Sequence, residues 1–261
     1  MDGDCMTEIP RFSIVVPVLN EAEAVGPLTR EIAAACAPIG PFEAIFVDDG
    51  STDGTANRIT EMQAEFPWLC MTVHAQTFGQ SAALRSGVIA ARASVICTID
   101  GDGQNPPSEI PKLVSPLLID EHGLDDSPVR RLGLVAGQRI RRRDSLSKQL
   151  ASHLANRLRT ALLHDDTRDT GCGLKAFPRA VFLDLPFFDH MHRYLPALVR
   201  REGLDIQLVD VAHRARLTGT SKYTNTGRAL AGVQDLLGVW WLMHRHRLAV
   251  STRAKPANRN V

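Results

Sequence analysis

Short apolar runs alternate along the first half of the chain with longer segments whose apolar residues recur every three to four positions. The short runs are typical of buried β-strands, and the longer segments are typical of amphipathic helices. The predicted strands are residues 12–18, 42–47, 69–74 and 95–99. The predicted helices are residues 21–36, 55–65 and 79–93. This alternation requires right-handed crossovers, so we expect an α/β fold with a mostly parallel sheet flanked by helices.

The second half of the chain continues the alternation less regularly. Further strands are predicted at residues 132–136, 174–177 and 204–211, with a tight turn at 169–173. Further helices are predicted at residues 150–163, 191–201 and 228–247. Two polar, basic segments (139–148 and 214–222) are typical of loops, and 251–261 is typical of a disordered tail. The length fits one large domain, or one domain with a small appendage.

Polar loops follow three of the predicted strands. They are residues 17–21, 48–53 and 100–104. In sheets of this kind, ligands bind beyond the carboxyl ends of the strands. We therefore expect the three loops to share one rim and to form one binding site.

The third loop carries two carboxylates, Asp100 and Asp102, separated by one residue. A solvated turn is one interpretation, because Asp-x-Asp occurs by chance in many surface turns. Carboxylates at this spacing in a bent loop can also converge on one hard divalent cation, with Gln104 as a further oxygen ligand. Mg²⁺ or Mn²⁺ held in this way usually takes its remaining ligands from water and substrate phosphates. The position on the rim favours a metal site for a phosphorylated ligand.

The second loop begins with another acidic pair, Asp48 and Asp49. A carboxylate at a strand end can accept hydrogen bonds from base N–H groups or ribose hydroxyl groups. The alternative is an Asx-type turn that starts the next helix, a role that suits Asp53. We expect Asp49 to contact a nucleotide and Asp53 to cap a helix.

Charge is distributed unevenly along the chain. The net charge is +1, but residues 1–129 carry −13 and residues 130–261 carry +14. Neutralisation between the two halves is one explanation, and an anionic substrate held between a metal and cations is another. Arginine forks match phosphate geometry, and nucleic acid fits less well because no aromatic residues are interleaved for base stacking. The candidate phosphate-binding residues are Arg139, Arg141, Arg142, Arg143 and Lys148.

Three further features have more than one interpretation. Lys222 lies in a small, polar turn and could hold a diphosphate or only be exposed to solvent. His190 and His192 could suggest a zinc pair, but no third ligand at suitable spacing supports it. The segment 228–247 could be a core helix, or its two tryptophans and terminal cations could place it in a membrane interface.

Composition is typical of a cytoplasmic globular protein. The chain is 44% hydrophobic and 23% charged. Its five cysteines are scattered and mostly lie inside apolar runs, so we expect reduced core thiols. We expect no secretory signal, because residues 1–10 carry acids and lack an apolar core. No apolar run approaches the roughly 20 residues that a membrane-spanning helix requires.

Seven short motifs occur in order along the chain. The first three are Phe12-Ser-Ile-Val-Val-Pro-Val-Leu-Asn-Glu21, Val47-Asp-Asp-Gly-Ser-Thr-Asp-Gly54 and Asp100-Gly-Asp-Gly-Gln-Asn-Pro-Pro107. The other four are Gly79-Gln-Ser-Ala-Ala, Gly137-Gln-Arg139, Asp169-Thr-Gly-Cys-Gly-Leu-Lys175 and Gly219-Thr-Ser-Lys-Tyr223. The first three resemble family 2 glycosyltransferases of the GT-A fold, in which alanine is commoner than glycine at position 101. The others are similar to the dolichol-phosphate mannose synthase branch, whose bacterial relatives load hexoses onto undecaprenyl phosphate.

The resemblance implies an inverting transfer of a hexose from GDP-mannose or a UDP-hexose to a polyprenyl phosphate, with Mg²⁺ or Mn²⁺ as cofactor. The catalytic residues that it implies are Asp100, Asp102, Arg139 and Lys222, the last two as diphosphate clamps. Asp100, Asp102 and Gln104 match the metal motif. The nucleotide pocket is matched by Pro17, Asn20, Glu21, Asp48, Asp49 and Gly101. The acceptor-phosphate positions are Lys148 and Ser152, together with Arg141, Arg142 and Arg143 of the basic segment.

These expectations divide the chain into a GT-A domain (11–224) and an amphipathic helix (225–247) for a membrane interface or partner. Residues 1–10 and 248–261 are expected to be disordered. We expect a peripheral protein at the cytoplasmic face of the cell membrane, with a small membrane protein as a candidate partner and no nucleic acid.

Two alternative functions remain. A family 2 transferase with a sugar-hydroxyl acceptor in cell-surface glycan synthesis needs a strong general base near the acceptor, which the basic segment disfavours. A non-catalytic nucleotide-sugar-binding regulator predicts metal-dependent nucleotide binding without turnover.

Overall fold

A computed structural model describes residues 8–120, 131–139, 159–160, 162–163, 167–214 and 225–245. Side chains are described in these ranges except at residues 120 and 225–231. Within them the chain forms a seven-stranded sheet with helices on both faces. The predicted α/β fold with a mostly parallel sheet is confirmed.

The strands are β1 Phe12–Val18, β2 Phe42–Asp48, β3 Leu69–Val73, β4 Val95–Thr98, β5 Leu132–Arg139, β6 Lys175–Pro178 and β7 Asp205–Val211. Their order in the sheet is β3-β2-β1-β4-β6-β5-β7. Strand β6 is antiparallel to both of its neighbours, whereas the other pairs are parallel. Because β1 lies between β2 and β4, the loops that follow these three strands begin side by side.

The helices are α1 Ala22–Cys36, α2 Thr55–Glu65, α3 Gln80–Ala90, α4 Ile110–Asp120, α5 Arg179–Asp184, α6 Leu195–Arg201 and α7 Asn225–Arg245. Short 3-10 turns lie at Ala37–Ile39, Pro107–Glu109 and Met191–Arg193. Helices α1, α2 and α4 pack on one face of the sheet, and α3, α5, α6 and α7 pack on the other.

Two apolar layers cover the two faces of the sheet. Strand β1 contributes to both, because successive side chains of a strand point to opposite faces. Phe12, Ile14 and Val16 lie in one layer and Val15 lies in the other, all fully buried. A strand buried on both faces needs a largely apolar run, which is the pattern that the sequence shows there apart from the buried Ser13.

The predicted limits of β1 and α2 are confirmed, and those of α1 and α3 differ by at most three residues. Helix α4 was not predicted, because Pro111 and Pro116 obscure its helical pattern. The predicted helix 191–201 is a 3-10 turn followed by α6, whose first turn contains Pro196 and favours a new helix start there. Strand β5 extends to Arg139, so the prediction of a loop at that residue is wrong.

Cys36, Cys97 and Cys172 are buried, free thiols, as expected. Cys70 forms a disulfide bond, so the expectation of reduced thiols is wrong at that position. Its strand β3 is at the edge of the sheet and Cys70 is partly exposed, so the sulfur of a second cysteine can reach it. No helix within the described ranges is long and apolar enough to cross a membrane.

Candidate nucleotide and metal site

The three polar loops share one rim, as predicted, because they follow the adjacent strands β2, β1 and β4. Asp48 ends β2 opposite Val18, and the Asp49 N–H donates to the Val18 carbonyl at 2.9 Å. The Ile99 N–H donates to the Val15 carbonyl at 3.1 Å, which places the third loop beside β1. The order of the strands therefore brings the loops together before side chains are considered.

Hydrogen bonds join the end of β1 to the loop that follows β2. Asn20 has a positive φ of 53°, which asparagine tolerates better than most residues. Its side-chain oxygen accepts a hydrogen bond from the Thr52 N–H at 2.7 Å, and its N–H donates to Ser51 Oγ at 2.8 Å. The Glu21 N–H donates to Thr55 Oγ1 at 2.9 Å. The backbone at Asn20 and Glu21 is thus set by the second loop, and their contact with a nucleotide stays a prediction.

The Asp48 and Asp53 carboxylates of the second loop accept hydrogen bonds from backbone N–H groups nearby. Asp48 is buried, and its Oδ1 accepts a hydrogen bond from the Ser51 N–H at 2.9 Å. The exposed Asp53 accepts from the Thr55 N–H at 3.1 Å and from the Ala22 N–H at 3.3 Å, at the starts of α2 and α1. The helix-capping prediction for Asp53 is confirmed by these contacts.

The buried Asp49 carboxylate already has three hydrogen-bond donors. Oδ1 accepts from His74 Nδ1 at 2.7 Å and from the Phe78 N–H at 2.9 Å, and Oδ2 accepts from the Gly79 N–H at 2.8 Å. His74 Nε2 lies 2.9 Å from Ser86 Oγ, so the ring is held at both nitrogens. Asp49 therefore fixes the segment between β3 and α3, and its predicted nucleotide contact has to be weighed against this role.

Asp100 follows β4, and its partly buried carboxylate lies between two side-chain amides. Oδ1 accepts a hydrogen bond from Gln80 Nε2 at 2.8 Å, and Oδ2 accepts from Asn105 Nδ2 at 3.2 Å. Burial raises the pKa of Asp100, and Asp102 raises it further, whereas the positive charge of Lys175 lowers it. Additional positive charge at this carboxylate would favour its ionised form.

The turn that carries Asp102 packs tightly against β1. Asp102 Oδ1 accepts a hydrogen bond from the Gln104 N–H at 3.0 Å, an Asx turn that orients the carboxylate. A Cβ placed on Gly101 would lie 2.5 Å from Val18 Cγ1 and 2.8 Å from the Pro17 carbonyl oxygen. Glycine in place of the commoner alanine therefore lets the turn approach β1 closely, with Pro17 and Gly101 side by side.

Arg139 ends β5 and donates two hydrogen bonds to the Asp169 carboxylate. Its Nε donates to one oxygen and an Nη donates to the other at 2.7 Å. Burial lowers the pKa of Arg139, but the Asp169 contacts outweigh this and raise it, so the guanidinium is charged. A diphosphate would have to share Arg139 with Asp169, and the clamp role of Arg139 stays a prediction.

Lys175 is a buried cation absent from the predicted site residues. It begins β6, and its Nζ donates to the Cys172 carbonyl and, at 3.3 Å, to the Thr170 carbonyl. Burial lowers the pKa of Lys175, and the negative charge of Asp100 opposes that shift. Gly173 permits this close packing, since a Cβ there would collide with the Asp100 carboxylate. The lysine stands in a motif of the resemblance, but only the antiparallel pairing of β6 with β4 brings it to Asp100.

A small cavity beside Asp100 is lined by polar groups from several elements. They include Gln80, Asp100, Lys175 and His192. His192 Nδ1 lies 2.8 Å from Ser81 Oγ, whereas His190 Nδ1 lies 3.0 Å from an Asp235 oxygen on α7. The two histidines thus have different partners, and the described residues contain no group of three or more His, Cys, Asp or Glu side chains placed to hold a metal.

His192 should make the protein less stable in mild acid. Burial, with a smaller contribution from Lys175, lowers the pKa of His192 well below its ordinary value of 6.5. Below pH 6.5 the unfolded chain then takes up a proton that the folded chain does not, which costs stability at up to about 1.4 kcal/mol per pH unit. We expect His192→Gln to lose less stability than the parent between pH 7 and pH 5 in urea denaturation. An unchanged pH dependence in this variant would contradict the assignment.

The oxygen ligands of the third loop fit a hard divalent cation. Asp102 is partly exposed, and Asp100 retains lone pairs beyond its two amide contacts. The buried Asn105 Oδ1, on the amide that donates to Asp100, has no hydrogen-bond partner among the described residues. Mg²⁺ and Mn²⁺ favour such sites, in which one or two carboxylates are completed by water and substrate phosphates.

The described rim brings together nine of the predicted site residues: Pro17, Asn20, Glu21, Asp48, Asp49, Asp100, Gly101, Asp102 and Gln104. Arg139 is near enough to Asp100 for their charges to interact. The other six predicted residues lie outside the described residues: Arg141, Arg142, Arg143, Lys148, Ser152 and Lys222.

This sheet order and acidic rim define a GT-A glycosyltransferase fold, and comparison with solved structures agrees. Glucosyl-3-phosphoglycerate synthase from Mycobacterium tuberculosis with UDP has a TM-score of 0.62 at 22% identity, covering 90% of this chain and 80% of that chain. The same enzyme with Mg²⁺ and UDP has a TM-score of 0.63 at 21% identity, covering 90% and 79%. A further structure of it contains Mn²⁺, with UDP and glucosyl-3-phosphoglycerate, at a TM-score of 0.62 and 22% identity over 90% and 80%.

The family follows from the sequence comparisons. Residues 13–185 match the family model "Glycosyl transferase family 2", and the chain belongs to this family. It is 36% identical over 237 residues to a dodecaprenyl-phosphate galacturonate synthase of Rhizobium johnstonii, covering 89% of this chain and 67% of that protein. It is 33% identical over 219 residues to an undecaprenyl-phosphate 4-deoxy-4-formamido-L-arabinose transferase of Pectobacterium carotovorum, covering 83% and 64%. The chain thus spans about two thirds of the length of these relatives.

Proposed function

We propose that the protein is an inverting glycosyltransferase that moves a hexose from a nucleotide-sugar to a polyprenyl phosphate. The observation that carries this proposal is the pair Asp100 and Asp102 on the rim beside the loops after β1 and β2. Two relatives whose names specify dodecaprenyl and undecaprenyl phosphate support the lipid acceptor. We propose GDP-mannose or a UDP-hexose as the donor.

The chemistry requires positive charge at the leaving group more than a strong base. An oxygen of the acceptor phosphate forms a bond to the anomeric carbon, the bond from that carbon to the diphosphate breaks, and the nucleoside diphosphate leaves with the electron pair. The acceptor phosphate is already anionic near neutral pH. Negative charge therefore builds up on the departing diphosphate, where preorganised positive groups lower the barrier.

Asp100, Asp102 and Gln104 would hold Mg²⁺ or Mn²⁺, which supplies Lewis-acid stabilisation of the leaving diphosphate when bound. The mycobacterial structures with Mn²⁺ or Mg²⁺ support a divalent cation. Arg139 would contribute a second positive charge, and its paired, partly buried guanidinium is held in place before the substrate binds.

The remaining predicted residues would bind the two substrates. In this proposal the nucleotide pocket consists of Pro17, Asn20, Glu21, Asp48 and Gly101, and Asp49 supports it by holding the segment between β3 and α3. The acceptor phosphate and the diphosphate would be bound by Arg141, Arg142, Arg143, Lys148, Ser152 and Lys222. A basic acceptor site would explain why the second half of the chain carries +14.

The test is a product assay with purified protein. The protein is incubated with a panel of nucleotide-sugars, Mg²⁺ or Mn²⁺ and undecaprenyl phosphate, and the lipid product is identified by mass. We expect the lipid product to have gained the mass of one hexose. We also expect one nucleotide-sugar to give much more product than the others. Metal-dependent nucleotide binding without any product would favour a regulator, and transfer only to sugar hydroxyl acceptors would favour the other enzyme.

We further propose that α7 lies on the cytoplasmic face of the cell membrane, where the lipid acceptor is available. One side of α7 packs on the core through buried Val239 and partly buried Leu236, Leu242 and Met243. The Tyr194 hydroxyl also donates to the Gly232 carbonyl at 3.3 Å. Among the described side chains of α7, the exposed large apolar residues are Val233, Leu237, Trp240 and Trp241. Their helical spacing forms a second apolar stripe, and Arg245 lies over the Trp241 ring, which suits a membrane interface.

Replacing Trp240 and Trp241 together with alanine should weaken binding to anionic vesicles by about tenfold or more. The reason is that both indole rings are exposed in the free protein and would be buried in the headgroup region. Vesicle flotation with phosphatidylglycerol-containing liposomes measures the effect. Phe187→Ala is the matched control, since Phe187 is an exposed aromatic residue with an arginine partner outside α7. Equal flotation of the double variant and the parent would refute the interfacial role.

A further inference from the structure

Arg214 connects the metal-binding turn to distant parts of the fold. It follows β7, which is separated from β4 by two strands of the sheet. The Arg214 N–H donates to the Gln104 carbonyl at 3.0 Å, and Arg214 Nε donates to the Gly103 carbonyl. Its Nη2 reaches the Glu31 carboxylate on α1, donating at 3.0 Å to one oxygen and lying 2.9 Å from the other. One residue thus joins the end of β7, the turn and α1.

Hydrogen bonds hold the Gln104 backbone at both its N–H and its carbonyl group. Its N–H donates to Asp102 Oδ1 at 3.0 Å, and its carbonyl accepts from the Arg214 N–H. Gly103, just before it, has a positive φ of 71°, and its carbonyl accepts from the Arg214 side chain. The dihedral angles of the turn set the directions of the Asp102 and Gln104 side chains, so Arg214 controls the geometry of both.

The contacts of Arg214 matter more for this local geometry than for the stability of the fold. The Arg214 and Glu31 side chains are 32% and 38% exposed. Ion pairs with this exposure usually contribute about 0–1 kcal/mol. The ion pair with Glu31 instead orients the Arg214 guanidinium so that its Nε points toward the Gly103 carbonyl.

We propose that Arg214 is a positioning residue for the divalent cation, because it holds the Asp102–Gln104 turn in the conformation that binds metal. The inference rests on the proposed function, since it takes this turn as the metal site. Without Arg214 the cation itself has to order the turn, which weakens metal binding while the rest of the fold persists. Loss of partners that orient metal ligands typically lowers metal affinity by about 10–100-fold.

The test measures Mn²⁺ binding to the full chain, with and without UDP or GDP. Electron paramagnetic resonance detects the free Mn²⁺ that remains. We expect Arg214→Ala to weaken Mn²⁺ binding by about tenfold or more. Its thermal midpoint should change by only a few degrees, about the effect of 1 kcal/mol. Arg214→Lys keeps the charge and the backbone N–H but cannot reproduce the forked contacts, so we expect an intermediate loss.

Arg168→Ala is the matched control for losing an arginine. Arg168 donates to Asp210 of β7 at 2.7 Å, and both side chains are well exposed. Arg168→Ala should bind Mn²⁺ like the parent. If Arg214→Ala fails to fold, Arg214→Lys decides the question, and parental Mn²⁺ binding in a folded Arg214 variant overturns the proposal.

Asp102→Asn separates this proposal from the proposed function. If Asp102→Asn binds Mn²⁺ as tightly as the parent, the turn is not the metal site and the proposed function loses its main support. If Asp102→Asn loses Mn²⁺ binding while Arg214→Ala retains it, only the positioning role of Arg214 is wrong.

Discussion

Replacing Asp102 with asparagine is expected to lower the rate of sugar transfer by about a thousandfold or more. Asparagine keeps the shape of the side chain, and its carbonyl oxygen can still accept the hydrogen bond from the Gln104 N–H. The turn therefore persists, and the substitution removes only the charge that attracts the cation. The measurement is the initial rate of lipid-linked sugar formation at saturating donor and Mn²⁺, together with the thermal midpoint.

Asp184→Asn provides a matched control for this change. Asp184 is exposed at the end of α5, so its loss of charge should leave both the rate and the midpoint unchanged. Near-normal turnover in Asp102→Asn, with a parental midpoint, would exclude Asp102 as a metal ligand. A large fall in the midpoint would show that the carboxylate stabilises the turn itself.

The rim could be predicted from sequence because its formation depends on local patterns and one rule of topology. The runs that become β1, β2 and β4 are mostly apolar because those strands are buried on both faces. Helices between parallel strands place the following loops at the same edge of the sheet. Asp48 and Asp100 therefore lie at the same edge of the sheet, on either side of β1, and no information about tertiary contacts is needed to predict this.

Contacts between distant parts of the chain could not be predicted in this way. Lys175 reaches Asp100 because β6 runs antiparallel between β4 and β5, and nothing in a four-residue strand specifies that direction. Arg214 reaches the Gly103 carbonyl across 111 positions of sequence. Lys175 belongs to a motif and Arg214 begins a basic segment that the sequence displays, but the partners of both cations depend on the register and order of strands in the completed sheet.

Asp48 and Asp49 show how similar local patterns can have different structural roles. Both follow the same apolar run, yet Asp48 accepts from the Ser51 N–H nearby, whereas Asp49 binds residues 25–30 positions away. The prediction of nucleotide contact for Asp49 considered only its place at a strand end. Whether the carboxylate binds the nucleotide or holds the loop can be decided by experiment.

Asp49→Ala should lower the free energy of unfolding by about 3 kcal/mol or more. The substitution leaves the Phe78 and Gly79 N–H groups and His74 Nδ1 without their charged acceptor, and each hydrogen bond to a charged group contributes about 1.5–3 kcal/mol. Urea denaturation measures the change, and Mn²⁺-dependent UDP or GDP binding is measured on the same variant. Asp53→Ala is the control, because its exposed carboxylate caps helices in the same loop and should cost about 1 kcal/mol.

The comparison of stability and binding in Asp49→Ala distinguishes the two roles of the carboxylate. If Asp49 holds the segment between β3 and α3, stability falls strongly, and nucleotide binding falls because Gln80, at the start of α3, no longer supports Asp100. If Asp49 binds the nucleotide directly, as its position at the strand end predicts, nucleotide affinity falls while stability stays within about 0.5 kcal/mol of the parent. The three donors around the carboxylate lead us to expect the first result, in which the acidic residue at the end of β2 supports the metal site through α3.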